Sequence, residues 1–209
     1  RKINFLIILA ASLVSFLSFS ANAKGKLTLY CSVGADVCEM IVQAFEKETG
    51  IKTAMTRKSS GETLAQIKAE SSNPKGDVWF GGTGDPHLTM AQEGLSHQYK
   101  SKHFDDLREA AKQQAINGDY RTVGIYIGAL GYGYNAQLVS DKNLPIPTSW
   151  MDLLDPIYKG HIQMANPNSS GTAYTTLATI LQIFGEDEGW DYMKKIHLYF
   201  RMYISVEEI

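Results

Sequence analysis

The sequence predicts an α/β protein in two lobes, and three observations carry that expectation. Short apolar runs alternate with stretches of helical periodicity, at the spacing of βαβ units around a largely parallel sheet. A glycine-rich segment, RTVGIYIGALGYGYN, begins at Arg121 and interrupts the alternation without a helix of its own. Beyond it the alternation resumes. A first lobe is therefore expected over 24–120, hinge or crossover strands over 121–134, and a second lobe from 135 to 197.

Each element has its own signal. Leu27-Thr28-Leu29-Tyr30 is a strand by composition. From Val37 to Lys47, the residues Val37, Met40, Ile41, Ala44 and Phe45 recur at helical spacing, and Gly50 is the stop. Residues 51–56 form a second strand. A helix over Glu62–Ser71 carries Leu64 and Ile67 on one side and ends at Asn73-Pro74. Asp77-Val78-Trp79-Phe80 is a third strand, and a helix follows near 86–93. In the second lobe, LPIPTSW opens a helix capped by Thr148 or Ser149, with Trp150, Leu153 and Leu154 facing inward. A strand over His161–Ala165 leads to amphipathic helices over 172–184 and 186–196. Trp79, Trp150 and Trp190 fall at apolar positions, where core packing is the default.

The N-terminus has a different character. Arg1 and Lys2 precede an apolar run from Phe5 to Phe19, and Ala21-Asn22-Ala23 supplies a small-x-small pattern. This is the layout of a secretory signal peptide over 1–23, with cleavage expected after Ala23 and an exported mature protein. The run is short for a membrane span of about 20 residues. The two cysteines, Cys31 and Cys38, agree with an oxidising compartment and are expected to form a disulfide. Closing so short a loop contributes about 2–3 kcal/mol. A metal pair is the rival, but it lacks the further Cys or His ligands of a zinc site. With 20 basic and 22 acidic residues and no basic cluster, the charge pattern argues against nucleic-acid binding.

Ligands of open α/β sheets bind where strand ends meet helix starts. Four such junctions stand out: CSVGAD (31–36), RKSSGET (57–63), FGGTGDP (80–86) and NPNSSGTAY (166–174). All are rich in Ser, Gly and Thr. Helix N-termini leave unpaired N–H groups and carry partial positive charge, so they suit an anion. Each loop alone fits ordinary capping equally well; Ser59-Ser60-Gly61-Glu62 matches a capping box, with Ser59 as cap and Glu62 reaching back. Four together point to a shared cleft. The chemistry of an enzyme is thinly represented. There is no P-loop Lys-Ser/Thr, no G-x-S-x-G and no H-E-x-x-H. The five histidines lack metal-ligand spacing, with His97 and His103 on solvated faces and His161 at the start of a strand. Asp36 and Asp85 fit helix-start acids favoured by the dipole. Tyr126, Tyr132 and Tyr134 in the connection remain open, since alternation turns some of them toward the cleft.

The ordered set of a signal peptide, GKLTLYCS, SSGETLAQIKAE, DVWFGGTGD, GYGYN and IPTSWMDLLDPIYKGHIQMANPNSSGTAYT resembles the periplasmic solute-binding proteins of ABC importers. The likeness runs from about Lys24 to His197. It lies closest to the branch labelled ferric-iron-binding, which also holds hexose-phosphate and phosphonate binders. The resemblance implies a type 2 two-lobed fold with hinge strands, no catalysis, no cofactor, a monomer, and delivery of a trapped solute to an inner-membrane ABC permease. It places Ser32, Ser59, Ser60, Gly61, Gly82 and Thr83 on the first lobe's wall, and Ser169, Ser170, Gly171 and Thr172 on the second. The ferric members use a His or Glu from first-lobe loops and a tandem tyrosine pair. Here those loops offer Ser and Gly, and no Tyr-Tyr pair occurs. A hard trivalent cation needs anionic oxygens, so a phosphorylated sugar or phosphonate is the expected solute, with ferric ion the alternative. Family members continue well beyond this length, so the second lobe is expected to be incomplete. LYFRMYISVEEI (198–209) departs from the family pattern and is expected to be a non-native tail of a truncated or frame-shifted product, which as a fragment need not bind.

Overall fold

Three parallel strands in the order β2-β1-β3 organise the first lobe of the computed structural model, which describes residues 25–203. The expected signal peptide lies outside the described residues. β1 (Lys26–Cys31) pairs along its whole length with β2 (Lys52–Arg57), and its C-terminal half pairs with β3 (Val78–Phe80). The intervening crossovers are α1 (Ala35–Thr49) and α2 (Ser60–Ala69); α3 (Gly84–Gln92) and α4 (Glu109–Asn117) follow β3. As the central strand, β1 buries Leu29, Tyr30 and Cys31, whereas the edge strand β2 alternates between exposed and partly buried positions. Leu29 and the Cys31–Cys38 disulfide form the core here, with Leu27, Val33, Val42, Met55 and Phe80 packed around them. The disulfide ties β1 to the first turn of α1, with 6.1 Å between the Cα atoms. Of the expected helix face, Met40 and Ala44 depart: both are exposed, Met40 at 61%, and Cys38 takes the buried position.

The second lobe starts with α5 (Ala136–Asp141) and reaches β4 (Ile162–Ala165) through two 3-10 turns, Met151–Leu154 and Pro156–Tyr158. Then come α6 (Gly171–Phe184), α7 (Glu186–His197) and β5 (Phe200–Tyr203). Leu153, Ile180, Tyr192 and Ile196 form its buried core, joined by Trp150, Leu154 and Phe184. The Tyr192 hydroxyl donates to Trp150 O at 2.6 Å, and burial pushes its pKa up. The stretch after LPIPTSW is a 3-10 turn rather than the expected helix. Asp155, which precedes Pro156, is extended at ψ 129°, because a residue before proline is held out of the helical region. Trp190 is 42% exposed rather than core. β5 lies parallel to β4, so the structure lays residues 200–203 of the expected non-native tail beside a family strand.

Residues 121–134 differ from the expected hinge strands. Among the described residues, no backbone-to-backbone hydrogen bond involves 122–134. A strand requires a second strand beside it, and no described strand lies there. The segment runs as an irregular connection whose Gly128, Gly131 and Gly133 face open space. Among the described residues, no helix is long and apolar enough to cross a membrane.

Candidate functional site

The register of the first sheet brings three of the four loops to one level. Cys31, the last residue of β1, pairs with both Arg57 and Phe80, the last residues of its neighbours. The ladder extends one residue further, with Lys58 N donating to Cys31 O at 3.1 Å and Ser32 N to Phe80 O at 2.9 Å. The chain then leaves each strand on the same edge. Ser59 is the N-cap of α2, and Thr83 that of α3. Oε2 of Glu62 accepts the Ser59 N–H at 3.1 Å and the Ser59 hydroxyl at 2.8 Å. On the other lobe Ser170 caps α6, its Oγ accepting from Ala173 N at 3.3 Å.

These loops meet across the lobes, so the expected cleft is closed between its two walls. Gly61 N donates to Ser169 O at 2.9 Å, and the Ser59 hydroxyl reaches the same carbonyl at 2.6 Å. That hydroxyl has one hydrogen, so it serves Ser169 O or Glu62 at any moment. Ser60, buried, accepts from Thr83 N at 3.1 Å through Oγ. A Cβ at Gly61 would sit 2.5 Å from Asn168 O and 2.6 Å from Ser169 O; one at Gly171 would collide with Thr83 Oγ1 and the Ser60 side chain. Glycine at both positions is what admits the contact. Thr83 Oγ1 is shielded from solvent and has no hydrogen-bond partner. Of the ten residues singled out from the sequence, Ser59, Ser60, Gly61, Gly82, Thr83, Ser169 and Gly171 touch one another in this junction. Ser170 is buried as the cap behind it. Ser32 borders it: its Cβ would lie 3.0 Å from a Cβ at Gly82. Thr172 is exposed on the first turn of α6.

The N-termini of α2, α3 and α6 thus point at one small region lined by hydroxyls and backbone amides, an arrangement whose partial positive charge favours an anion. Among the described residues, no group of three His, Cys, Asp or Glu side chains is placed to hold a metal ion.

Four further side chains shape the region. Thr63 is buried; its hydroxyl donates to Ser59 O at 2.9 Å and meets Ser32 Oγ at 3.1 Å. Trp79 Nε1 donates to Ser32 Oγ at 2.8 Å. The Trp79 indole stacks on His87, with ring centroids 3.7 Å apart. His87 Nε2 lies 2.8 Å from Gly81 O, which as a carbonyl only accepts, so Nε2 carries the hydrogen. Burial lowers the His87 pKa and keeps the ring neutral, outweighing the bond to Gly81. Tyr126, from the connection, bonds both backbone groups of Gly82: it accepts from N at 2.8 Å and donates to O at 3.0 Å. An open groove of about 1420 Å³ reaches this edge of the junction, lined there by Trp79, Gly82, His87, Gln114 and Tyr126. Helical and strand periodicity assign aromatic residues to the core, and the bonds of Thr63 and Trp79 to Ser32 and of Tyr126 to Gly82 span dozens of residues, so only the alternation in the connection hinted at Tyr126.

Comparison with known proteins shows what the chain is similar to. Over 191 residues the chain is 44% identical to an uncharacterized protein of Haemophilus influenzae, covering 91% of this chain and 55% of that protein. It is 27% identical over 154 residues to a putative 2-aminoethylphosphonate-binding periplasmic protein of Salmonella typhimurium, covering 73% of this chain and 42% of that one. The chain therefore spans about half the length of the curated relatives it matches. Among solved structures, the periplasmic binding protein P5PA superposes with a TM-score of 0.84 at 36% identity, over 88% of this chain and 59% of P5PA. AfuA from Actinobacillus pleuropneumoniae, with exogenous fructose-6-phosphate bound, gives 0.80 at 40% identity, over 85% of this chain and 56% of AfuA. Iron-bound HitA from Pseudomonas aeruginosa shares the fold at 21% identity and a TM-score of 0.64. Residues 80–199, more than half of the sequence, match the family described as bacterial extracellular solute-binding protein, and the chain belongs to that family.

Proposed function

We propose that the chain captures a small phosphorylated solute, a sugar phosphate or a phosphonate, between its two lobes in the periplasm and delivers it as a monomer to an ABC permease without chemical change. The observation that carries this reading is the convergence of three helix N-termini, α2, α3 and α6, on one junction built of hydroxyls and N–H groups. Those donors presently satisfy one another: Ser169 O takes Gly61 N–H and the Ser59 hydroxyl, and Ser60 Oγ takes Thr83 N–H. A phosphoryl group entering as the lobes part replaces neutral acceptors with anionic oxygens, whose hydrogen bonds are roughly twice as strong. The exchange leaves no donor unpaired and supplies a partner for Thr83 Oγ1. The likeness to a fructose-6-phosphate-bound protein at 40% identity supports the phosphorylated class. The donor set supports it too, since hydroxyls and amides do not replace the anionic oxygens that ferric ion requires.

A thermal-shift comparison tests the proposal, using fructose 6-phosphate, 2-aminoethylphosphonate and ferric citrate with the purified protein. A phosphorylated ligand at one hundred times its Kd is expected to stabilise the fold by about 2.7 kcal/mol. Stabilisation by ferric citrate alone would overturn the phosphorylated-solute reading, and release of inorganic phosphate from the sugar phosphate would make the protein an enzyme.

A further inference from the structure

Tyr126 holds a backbone amide that the proposed solute would use. Gly82 directly precedes Thr83, the N-cap of α3, so the Gly82 and Thr83 N–H groups are successive donors at that helix start. The first meets Tyr126 Oη at 2.8 Å and the second meets Ser60 Oγ at 3.1 Å. Two adjacent amides thus each face a neutral hydroxyl oxygen, the arrangement in which consecutive N–H groups grip two oxygens of one phosphoryl group. Ser60 is buried and belongs to the first lobe. Tyr126 comes from the connection and is 56% exposed. Gly82, at φ +92°, turns both its N–H and its carbonyl toward the one phenol, which bonds each.

We propose that Tyr126 is a built-in competitor for the site: its hydroxyl stands where a solute oxygen binds Gly82 N–H, and the incoming solute displaces it. This inference rests on the phosphorylated-solute reading above. Displacement is inexpensive on physical grounds. An exposed phenol that swings away regains hydrogen bonds from water, so the two neutral bonds it gives up have a net worth of about 1 kcal/mol each. The same displacement unties the connection from the first lobe's site. Arg121, five residues earlier, remains anchored through Nη1 to Ser96 O at 2.5 Å. Gly124 also stays packed on Ala111, so the chain beyond Gly124 is released at the moment the solute is bound, which couples occupancy of the site to the segment that joins the lobes.

The test is Tyr126→Phe in the otherwise unaltered protein, which keeps the ring and deletes only the hydroxyl. Two quantities are measured: the Kd for fructose 6-phosphate by calorimetry, and hydrogen exchange at the Gly82 amide without ligand. The variant is expected to bind about fivefold to thirtyfold tighter, the equivalent of about 1–2 kcal/mol. Its Gly82 amide is expected to exchange faster than in the wild type. Equal or weaker binding would overturn the proposal, because it would make the hydroxyl a bystander or a solute contact. If neither protein binds a phosphorylated solute, the functional reading fails on its own. The exchange measurement then still decides whether Tyr126 guards Gly82, and unchanged exchange overturns that.

Discussion

A methyl group at position 61 has nowhere to go. Its nearest neighbours would be the Asn168 and Ser169 carbonyl oxygens, backbone atoms that cannot rotate aside as a side chain does. Overpacking of this kind costs about 1–3 kcal/mol, while alanine inside a helix returns up to about 1 kcal/mol over glycine. Gly61→Ala is therefore expected to lower stability by about 1 kcal/mol, visible as a reduced Tm. Gly128→Ala, where a Cβ meets nothing within 4 Å, should leave Tm within error. A higher Tm for Gly61→Ala would mean that the two loops do not rest on each other. The same sterics explain why this part of the candidate site was legible in the sequence. Close approach of two backbones admits only small residues, so Gly61, Ser169 and Gly171 announce themselves by type. Thr63, Trp79, His87 and Tyr126 do not, since a polar or aromatic residue within a periodic run carries no mark of the distant atom it touches.

At the scale of elements, the alternation of strand and helix was legible because parallel strands bury both faces and their crossovers bury one, giving distinct periods. It misled where proline intervenes. Between Pro147 and Pro156 the chain forms a 3-10 turn, and Asp152 secures its start. The Asp152 carboxylate accepts from Thr148 N at 2.7 Å, Ser149 Oγ at 2.8 Å, Thr148 Oγ1 at 2.9 Å and Ser149 N at 3.0 Å. The Thr148 amide foremost, then the Ser149 and Thr148 hydroxyls, pull its pKa down to about 2 from the ordinary 3.8. Between those values the unfolded chain binds more protons than the folded one. The carboxylate's contribution is thus complete above the ordinary value and lost as pH falls through about 2. Asp152→Asn is expected to melt below the wild type at pH 6, with the gap closing between pH 4 and pH 2. A gap that stays constant in melts across that range would show that the charge does not hold the turn.

For the whole molecule, the decisive feature is how little joins its two cores. One is centred on Leu29 and the Cys31–Cys38 disulfide, the other on Leu153, Ile180, Tyr192 and Ile196. Between them lie the Gly61–Ser169 junction and the connection over 121–134, where Val123, Ile125, Tyr126, Ile127 and Tyr134 are exposed. The connection has the composition of a strand, and composition was all the sequence could offer; pairing depends on a second segment that no local pattern names. Hydrogen exchange across the molecule separates these regions by their backbone bonding. Amides of Leu29, Tyr30 and Cys31, where β1 has a strand on each side, are expected to exchange only through large-scale opening, slower than an unstructured chain by a factor on the order of a thousand or more. Those of 122–134, which have no backbone partner among the described residues, should exchange within about tenfold of an unstructured chain. Protection there equal to that of β1 would overturn this picture of a loosely tied connection. It would require a paired strand from outside residues 25–203, and the lobes would then turn about a ladder rather than part on a single flexible chain.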